Sequence, residues 1–176
     1  MAAYNLDAVR ESFPITQQLT YLNHASISPI PLCTQQTMDR VTQQLVNDPL
    51  SLLIPHDPFG DIFTTFSAEV ARFINAADPH EVVGIPSTSA GLNAVAQSIQ
   101  WQPGDNIVFA DIEFPSNVYP WMALERYGVE SRLVPAEHGG LTVEALDQYV
   151  DQHTRLVAVS AIQFLSGHRT DLAALG

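Results

Sequence analysis

Small hydroxyl side chains stand where a strand is predicted to end and a helix to begin. The segment from Gly84 to Asn93 reads GIPSTSAGLN, so that Ser87, Thr88 and Ser89 come directly before the helical stretch. The first turn of a helix has free N–H groups and the positive end of the helix dipole, which together bind phosphate, and hydroxyl groups add donors. The same pattern is also that of an ordinary Ser/Thr N-cap, and it is neither a GxSxG elbow nor a GxxxxGK[ST] loop.

Two further segments follow predicted strands and have groups suited to binding. Phe114 precedes a helix that begins at Pro115, and its ring could present a flat face to an aromatic ligand or could pack in a core. Gln163 opens a polar stretch that runs to Arg169. Because ligands bind outside the carboxyl ends of parallel strands, we expect the three segments to converge at one edge of a sheet.

The elements that must position these segments alternate between strand and helix. Strands are predicted at Val82–Ile85, Asn106–Ala110, Glu130–Val134 and Leu156–Ser160. Helices are predicted near Ser89–Gln100, Ser116–Tyr127 and Thr142–Val150, with Gly128 as the residue that ends the second of them. Short apolar strands that alternate with helices predict an α/β fold, with a mostly parallel sheet and right-handed crossovers.

Residues 1–80 have a different pattern, of helices and loops. A short helix near Asn5–Ser12 and an extended segment at Leu19–Leu22 are followed by a helix with Met38, Val41 and Leu45 on one face. Beyond Asp57-Pro58, which is typical of a helix start, one apolar stripe predicts a long buried helix, with Phe59, Ile62, Phe63, Phe66, Val70, Phe73 and Ile74. We therefore divide the chain into a helical segment, 1–80, and an α/β domain, 81–176.

Composition excludes several classes of protein. The net charge of −12 argues against general nucleic-acid binding, since an acidic chain repels phosphate backbones. No run of 18 apolar residues occurs, so we predict no membrane span, and the N-terminus lacks the pattern of a signal peptide. Cys33 is the only cysteine, which rules out an internal disulfide and fits a cytoplasmic location. We predict no metal site.

Lysine is absent from these 176 residues. Seven arginines account for the whole Lys+Arg count of 7. The amine nucleophile for carbonyl chemistry comes from lysine. We therefore predict no catalytic residue in this chain and no lysine-linked carbonyl cofactor.

Four segments, in order along the chain, resemble motifs of the class-V aminotransferases, which are fold-type-I enzymes that hold pyridoxal 5′-phosphate (PLP). Tyr21–Pro29 resembles their opening motif, and Thr88–Asn93 resembles their phosphate loop. Glu113–Asn117 resembles the ring-stacking segment, and Gln163–Gly167 resembles the segment near the phenolic oxygen of the cofactor. The resemblance implies the N-terminal part of the large PLP-dependent transferase domain, a mostly parallel sheet with flanking helices that is truncated at Gly176.

The resemblance also implies which residues would hold PLP. The backbone and hydroxyl groups of Thr88, Ser89 and Ala90 would bind its phosphate. Phe114 would stack on the pyridine ring, and Gln163 would approach the phenolic oxygen. Without lysine, PLP would be bound non-covalently at most.

Other positions bear on the substrate and on the branch of the family. Asn23 and His24 would face an amino-acid substrate, although a structural role at a turn is equally consistent for His24. Cysteine desulfurases usually have histidine where Phe114 stands, and the phenylalanine with its following proline is more similar to kynureninase or to the isopenicillin N epimerase-like branch. Kynureninases typically have aspartate where Asn117 stands, and many members of the family have an acidic residue where Ala90 stands.

In function, the resemblance implies an N-terminal fragment of a PLP enzyme that acts on an amino acid by transaminase, desulfurase or epimerase/lyase chemistry. The Schiff-base lysine, the aspartate that pairs with the pyridine nitrogen and the small domain would follow Gly176, so we expect the chain alone to be inactive. The resemblance also implies that residues 1–80 form the dimer-contact region, so the expected partners are a second copy or a complementing C-terminal half. Two alternatives stay open: a non-catalytic remnant that binds a partner or dimerises, and an unrelated α/β domain that binds a phosphorylated ligand at Ser87–Ala90.

Overall fold

The first of two compact units is helical. The computed structural model describes residues 5–50 and 62–176, and the chain divides into Met1–Gly84 and Ile85–Gly176. The helices described in the first unit are α1 (Leu6–Glu11), α2 (Leu32–Asn47) and α3 (Ile62–Ile74), and 3₁₀ turns lie at Pro14–Gln17 and Pro79–Glu81.

The predicted helices α1 and α2 are confirmed. Asn5 caps α1, since its side-chain oxygen accepts a hydrogen bond from the N–H of Ala8 at 3.3 Å. Leu19–Leu22 is irregular and has no strand partner among the described residues. The predicted helix start at Asp57-Pro58, and Phe59 behind it, lie outside the described residues.

Helix α3 forms, but its apolar stripe is not buried as predicted. Phe66, Phe73 and Ile74 are 47%, 89% and 58% exposed, whereas Ala71 is 4% exposed. The predicted burial is wrong for these three side chains, because the described part of the first unit covers Phe66 only in part and leaves most of Phe73 and Ile74 exposed. Large apolar side chains left uncovered within a unit are typical of a surface that binds another chain or segment.

The second unit is built on a parallel sheet, which confirms the predicted α/β class. The strands in the described residues are β1 (Asn106–Ala110), β2 (Glu130–Val134) and β3 (Thr154–Ala158). The strand order is β2-β1-β3, and β1 pairs in parallel with both neighbours. Strand β3 begins two residues earlier than predicted, and its outer edge has no partner among the described residues.

The helices of this unit follow the predicted alternation, with one break. They are α4 (Thr88–Ser98), α5 (Tyr119–Met122), α6 (Val143–Asp147) and α7 (Leu172–Leu175), with 3₁₀ turns at Pro115–Asn117 and Ala123–Tyr127. The single helix predicted over Ser116–Tyr127 is therefore interrupted, because Pro120 has no N–H to donate within it. Gly128 ends the stretch with φ +81°, as predicted for the residue after a helix.

The predicted strand at Val82–Ile85 is not formed. Val82 has extended backbone angles, but no described strand pairs with the segment. Val83 and Ile85 are 79% and 53% exposed. A strand requires a neighbour to satisfy its N–H and C=O groups, so the apolar sequence alone is not sufficient.

Strand β1 is buried along its whole length and supports a core on each face of the sheet. Successive side chains of a strand point to opposite faces. One face has Ile107 and Phe109 packed with Ala96, Trp121, Leu124, Val129 and Ala158. The other has Val108 and Ala110 packed with Val134, Leu141, Ala145 and Leu146. The carboxyl end of β1, where Glu113 and Phe114 follow, is thereby anchored from both sides.

Candidate functional site

The N-terminus of α4 is both capped and partly free. The Ser87 hydroxyl oxygen accepts a hydrogen bond from the N–H of Ala90 at 3.2 Å, and the Ser87 carbonyl accepts one from Gly91 at 3.1 Å. In the part of the chain that the structure describes, the N–H groups of Thr88 and Ser89 have no protein acceptor. Both side chains are exposed. Ser87 is thus an ordinary N-cap that occupies the N–H of Ala90, and two N–H donors and two hydroxyls remain for an anion.

Ser89 and Phe114 line the same cavity, of about 330 Å³. The wall is completed by α4, the 3₁₀ turn and α5, through Asn93, Pro115, Ser116, Tyr119 and Pro120. Phe114 is 49% exposed, so much of its ring is free to contact a ligand. Larger cavities of the same unit, of about 590 and 600 Å³, include neither Phe114 nor the first turn of α4.

A buried carboxylate joins the loops that follow β1 and β3. Glu113 is 6% exposed. One of its oxygens accepts hydrogen bonds from the Ser160 N–H at 2.7 Å and from Gln163 Nε2 at 2.8 Å, and the other accepts from the Ser160 hydroxyl at 2.6 Å. The carboxyl ends of these neighbouring strands therefore meet at one polar cluster, as the parallel sheet predicts.

Gln163 is 1% exposed and retains one unused acceptor. Its backbone closes a tight loop, in which its N–H donates to the His168 carbonyl and its carbonyl accepts from Gly167, both at 2.9 Å. Because the Glu113 carboxylate only accepts, the amide nitrogen of Gln163 must face it. The buried Gln163 Oε1 then has no hydrogen-bond partner. Such an orphaned acceptor fits a ligand that offers an O–H or N–H group, as a phenol does.

An aromatic pair connects the same two loops. The rings of Phe114 and Phe164 meet edge to face, with centroids 5.0 Å apart and an interplanar angle of 88°. This is a favoured geometry for aromatic rings. Phe164 is 58% exposed and directly follows Gln163, so the two loops joined by Glu113 are also joined by a partly exposed aromatic contact.

Asn23 and His24 lie in the first unit, in an exposed turn. The Asn23 carbonyl accepts hydrogen bonds from the N–H groups of Ser26 and Ile27, both at 3.3 Å. The His24 ring meets the Tyr21 ring edge on, with centroids 5.2 Å apart. These contacts fit the structural role at a turn, and the substrate role of both residues stays a prediction.

The opposite ends of the strands have a separate polar cluster. Asn106 is fully buried, donates to Asp151 at 2.9 Å and accepts from the Thr154 hydroxyl at 2.8 Å. Arg132 donates to Asp151 at 2.8 Å. Hydrogen bonds from Arg132, and next from Asn106, lower the pKa of Asp151 to about 2. Because this cluster lies at the amino ends of β1 and β3, we assign it to the stability of the sheet.

Sequence reasoning missed the residues that hold the site together, namely Glu113, Ser160 and Phe164. The signal for Glu113 was available, because an acidic residue in the segment that follows a buried strand must find donors when the fold buries it. Its partners were not predictable from spacing, since Ser160 and Gln163 lie 47 and 50 positions further along the chain.

Two classes of feature are absent from the described residues. None of the helices described is long and apolar enough to cross a lipid bilayer. In the same residues, no group of three or more His, Cys, Asp or Glu side chains could hold a metal ion.

Comparison with known proteins connects these features to one family. A family model described as aminotransferase class-V matches residues 20–176. A cysteine desulfurase of Pectobacterium atrosepticum is 33% identical over 180 residues, which cover 94% of this chain and 44% of the relative.

Solved structures share the fold at lower identity. The cysteine desulfurase CsdA from Escherichia coli superposes with a TM-score of 0.75 at 24% identity, covering 98% of this chain and 45% of CsdA. A C-DES variant with glycine covalently linked to its PLP cofactor superposes with a TM-score of 0.80 at 21% identity, covering 94% of this chain and 44% of C-DES.

The matched range contains every predicted site residue, from Asn23 to Gln163. The chain nevertheless spans less than half the length of these relatives, 44% of the desulfurase and 45% of CsdA. On the family match, this chain belongs to the class-V aminotransferase family, whose cofactor is pyridoxal 5′-phosphate.

Proposed function

We propose that this chain supplies the phosphate-binding and ring-binding part of a PLP enzyme that acts on an amino acid. The observation that carries the proposal is the cavity in which Ser89 and Phe114 come together. It combines an anion-binding helix N-terminus with a partly exposed aromatic ring, and PLP has both a phosphate and an aromatic ring.

The phosphate is assigned to the first turn of α4. The free N–H groups of Thr88 and Ser89 and their hydroxyls would donate to its oxygens, and the helix dipole would favour its charge. Ala90 lies in the phosphate-binding turn but donates no hydrogen bond to the phosphate, because its N–H already donates to the Ser87 hydroxyl. This refines the role of Ala90, whose backbone the sequence pattern placed on the phosphate.

The ring is assigned to Phe114 and Gln163. Phe114 would contribute a stacking contact, and Gln163 would contribute its unpartnered buried oxygen as an acceptor for the phenolic hydroxyl. When bound, PLP supplies an electron sink for reactions at the α-carbon of an amino acid. Phe114 has no proton to exchange, so its role is limited to binding and orienting the ring.

These residues do not decide the reaction on the amino acid. Transaminase, desulfurase and epimerase/lyase chemistry all remain within the proposal, and the relative from Pectobacterium atrosepticum is a cysteine desulfurase. Since these 176 residues contain no lysine, a Schiff-base lysine for PLP has to come from residues outside them. A reducing cytoplasm suits a chain whose only cysteine, Cys33, is exposed and free.

A partner-binding or dimerisation role is favoured by one separate observation. Phe73 and Ile74 of α3 are large, apolar and mostly exposed, and Phe66 on the same helix is partly exposed. We propose that this face of α3 binds a second copy of the chain or the C-terminal half that the relatives possess. If the chain is a non-catalytic remnant, this surface would be its binding site for the partner.

The test compares PLP with pyridoxal, which lacks the phosphate, as ligands of the complete gene product. The double variant Thr88→Val, Ser89→Ala removes both hydroxyls at the first turn of α4. We expect it to weaken PLP binding by about tenfold, the loss typical of a charge-assisted hydrogen bond, and to leave pyridoxal binding unchanged. Equilibrium titration followed by PLP absorbance measures both affinities.

Ser98→Ala is the matched control for that experiment. It removes a hydroxyl at the opposite end of the same helix, where Ser98 donates to the Val95 carbonyl at 2.8 Å. We expect it to bind PLP with wild-type affinity. Equal affinity of the wild-type protein for PLP and pyridoxal would overturn the assignment of the phosphate to α4.

A further inference from the structure

The two loops that supply the proposed ring contacts are connected by a single buried side chain. Phe114 follows β1 and Gln163 follows β3, and Glu113 bonds to the second loop from its place beside Phe114 in the first. We propose that Glu113 is a positioning residue that fixes the placement of Phe114 and Gln163 for the cofactor. This inference rests on the proposed function and goes one step further into the same site.

Glu113 is held entirely by hydrogen bonds. It is 6% exposed, and among the described residues no Arg or His forms an ion pair with it. Its two oxygens instead receive donors from Ser160 and Gln163 at 2.6 to 2.8 Å. Hydrogen bonds to a charged group are stronger than neutral ones, and the donors would be left unsatisfied if the carboxylate were removed.

Glu113 also determines which amide atom of Gln163 is left without a hydrogen-bond partner. The carboxylate accepts and does not donate, so it selects the orientation in which Gln163 Nε2 faces it. The orientation is locked further by burial, since Gln163 is 1% exposed. The atom left without a partner is Oε1, an acceptor, so Glu113 sets the hydrogen-bonding character of the site as well as its shape.

The position of Glu113 is transmitted to Phe114 through the backbone. The two residues are adjacent, and Phe114 is in an extended conformation, with φ −65° and ψ 139°, at the start of a 3₁₀ turn. The ring of Phe114 then meets that of Phe164, which follows Gln163. The loops are thus connected twice, by the carboxylate of Glu113 and by the aromatic pair, and the carboxylate is the more deeply buried of the two connections.

Two substitutions separate positioning from general packing. Glu113→Gln retains every bond, because its amide oxygen can accept from the Ser160 N–H and from Gln163, while its amide nitrogen donates to the Ser160 hydroxyl. Glu113→Leu has a similar size and retains none of them. The matched control is Asn106→Leu, which breaks the connection between the same two strands at their amino ends, away from Phe114 and Gln163.

The experiment measures PLP affinity, thermal unfolding and amide hydrogen exchange in the complete gene product without cofactor. We expect Glu113→Leu to weaken PLP binding by at least about tenfold and Glu113→Gln to stay within about threefold of wild type. The Ser160 N–H should lose its protection from exchange in Glu113→Leu and keep it in Glu113→Gln. Asn106→Leu should lower the unfolding temperature and leave the affinity for PLP within about threefold of wild type.

The outcomes distinguish the inference from the proposed function. Wild-type affinity for PLP in a folded Glu113→Leu variant would overturn the positioning role and leave the proposed cofactor site standing. An equal loss of affinity in Glu113→Leu and Asn106→Leu would also overturn it, because the effect would then follow stability alone. A wild-type protein that does not bind PLP would overturn the proposed function and the inference with it.

Discussion

At the scale of single residues, the site combines an exposed aromatic ring with a buried polar network. Phe114 is 49% exposed, although a phenylalanine of a core would be covered, and it lines a cavity with Ser89. Gln163 is covered and keeps one acceptor without a partner. Both departures from ordinary burial are explained if a ligand completes the contacts.

Replacing Phe114 with alanine should weaken PLP binding by about 1 kcal/mol or more, because stacking and edge-to-face contacts are lost together. Equilibrium titration with PLP measures the change. Tyr127→Ala removes a ring that is 56% exposed in the same unit and does not line the cavity of Ser89 and Phe114, and it serves as the control. If Phe114→Ala bound PLP with wild-type affinity, the assignment of Phe114 to the cofactor site would be contradicted.

The sequence predicts Phe114 and Gln163 as cofactor contacts but does not predict the residue that joins their loops. Each lies in the segment that follows a strand, and the carboxyl ends of parallel strands lie together, so the convergence of the two segments follows from the alternation of strands and helices. Glu113 contributes through partners that are distant along the chain, and pair contacts of that kind depend on the register of β1 against β3. The register of one strand against another is not readable from a single sequence.

At the scale of the elements, opposite ends of the same strands have different tasks. The carboxyl ends of β1 and β3 bring the site together through Glu113, and the amino ends are tied by Asn106, Asp151 and Arg132. This second cluster of hydrogen bonds lies at the other end of the strands from the proposed cofactor contacts. It therefore offers a way to change the stability of the sheet without changing the site.

Acid should weaken the hydrogen bonds at the amino ends of the strands, and so lower the free energy of unfolding, in a defined pH range. The pKa of Asp151 is lowered from its ordinary 3.8 to about 2, first by Arg132, so its ionised form is favoured by folding. A carboxyl with a lowered pKa stabilises the folded state above about pH 4, and that stabilisation is lost as the pH falls through about 2. Denaturant titrations between these pH values should show the loss.

The variant Arg132→Met should raise the pKa of Asp151 and reduce that loss between pH 4 and pH 2. A carboxyl titration followed by NMR measures the pKa directly. Arg155→Met removes an exposed arginine of β3 and is the control, since Arg155 takes no part in the bonds to Asp151. An unchanged pKa of Asp151 in Arg132→Met would contradict the assigned cause.

Elements were predictable where the needed neighbours lie within these residues. Strand β1 was predicted to the residue, because a continuous apolar run flanked by breaking residues is buried on both faces by segments close to it in sequence. Val82–Ile85 has a similar composition and forms no strand, since none of the described strands pairs with it. Composition indicates the capacity to form a strand, and pairing decides whether one forms.

At the scale of the whole molecule, the chain spans less than half of its relatives and leaves surfaces that need covering. The outer edge of β3 has no partner among the described residues, and Phe73 and Val83 are largely exposed. Unpaired edges of parallel sheets and open apolar faces promote association. The net charge of −12 favours solubility without adding stability.

We expect residues 1–176, prepared alone, to unfold over a broad range of temperature or to associate. Supplying the C-terminal half that the relatives possess, as a second chain or as a fusion, should restore a cooperative transition and PLP binding. Thermal melting and size-exclusion chromatography measure the first part, and PLP titration measures the second. A monomer with a sharp, reversible transition and no added chain would contradict this expectation.

The cavity that contains Ser89 and Phe114 has one more consequence, which concerns acidity. Among the described residues that line it, none has a carboxylate, an imidazole or an amine. The lining therefore contains none of the side chains that ordinarily change charge between pH 6 and pH 8. If the ligand affinity changes between pH 6 and pH 8, the titrating group would therefore be on the ligand or on another part of the protein. The number of protons taken up or released on binding would then come from those groups and not from the cavity wall.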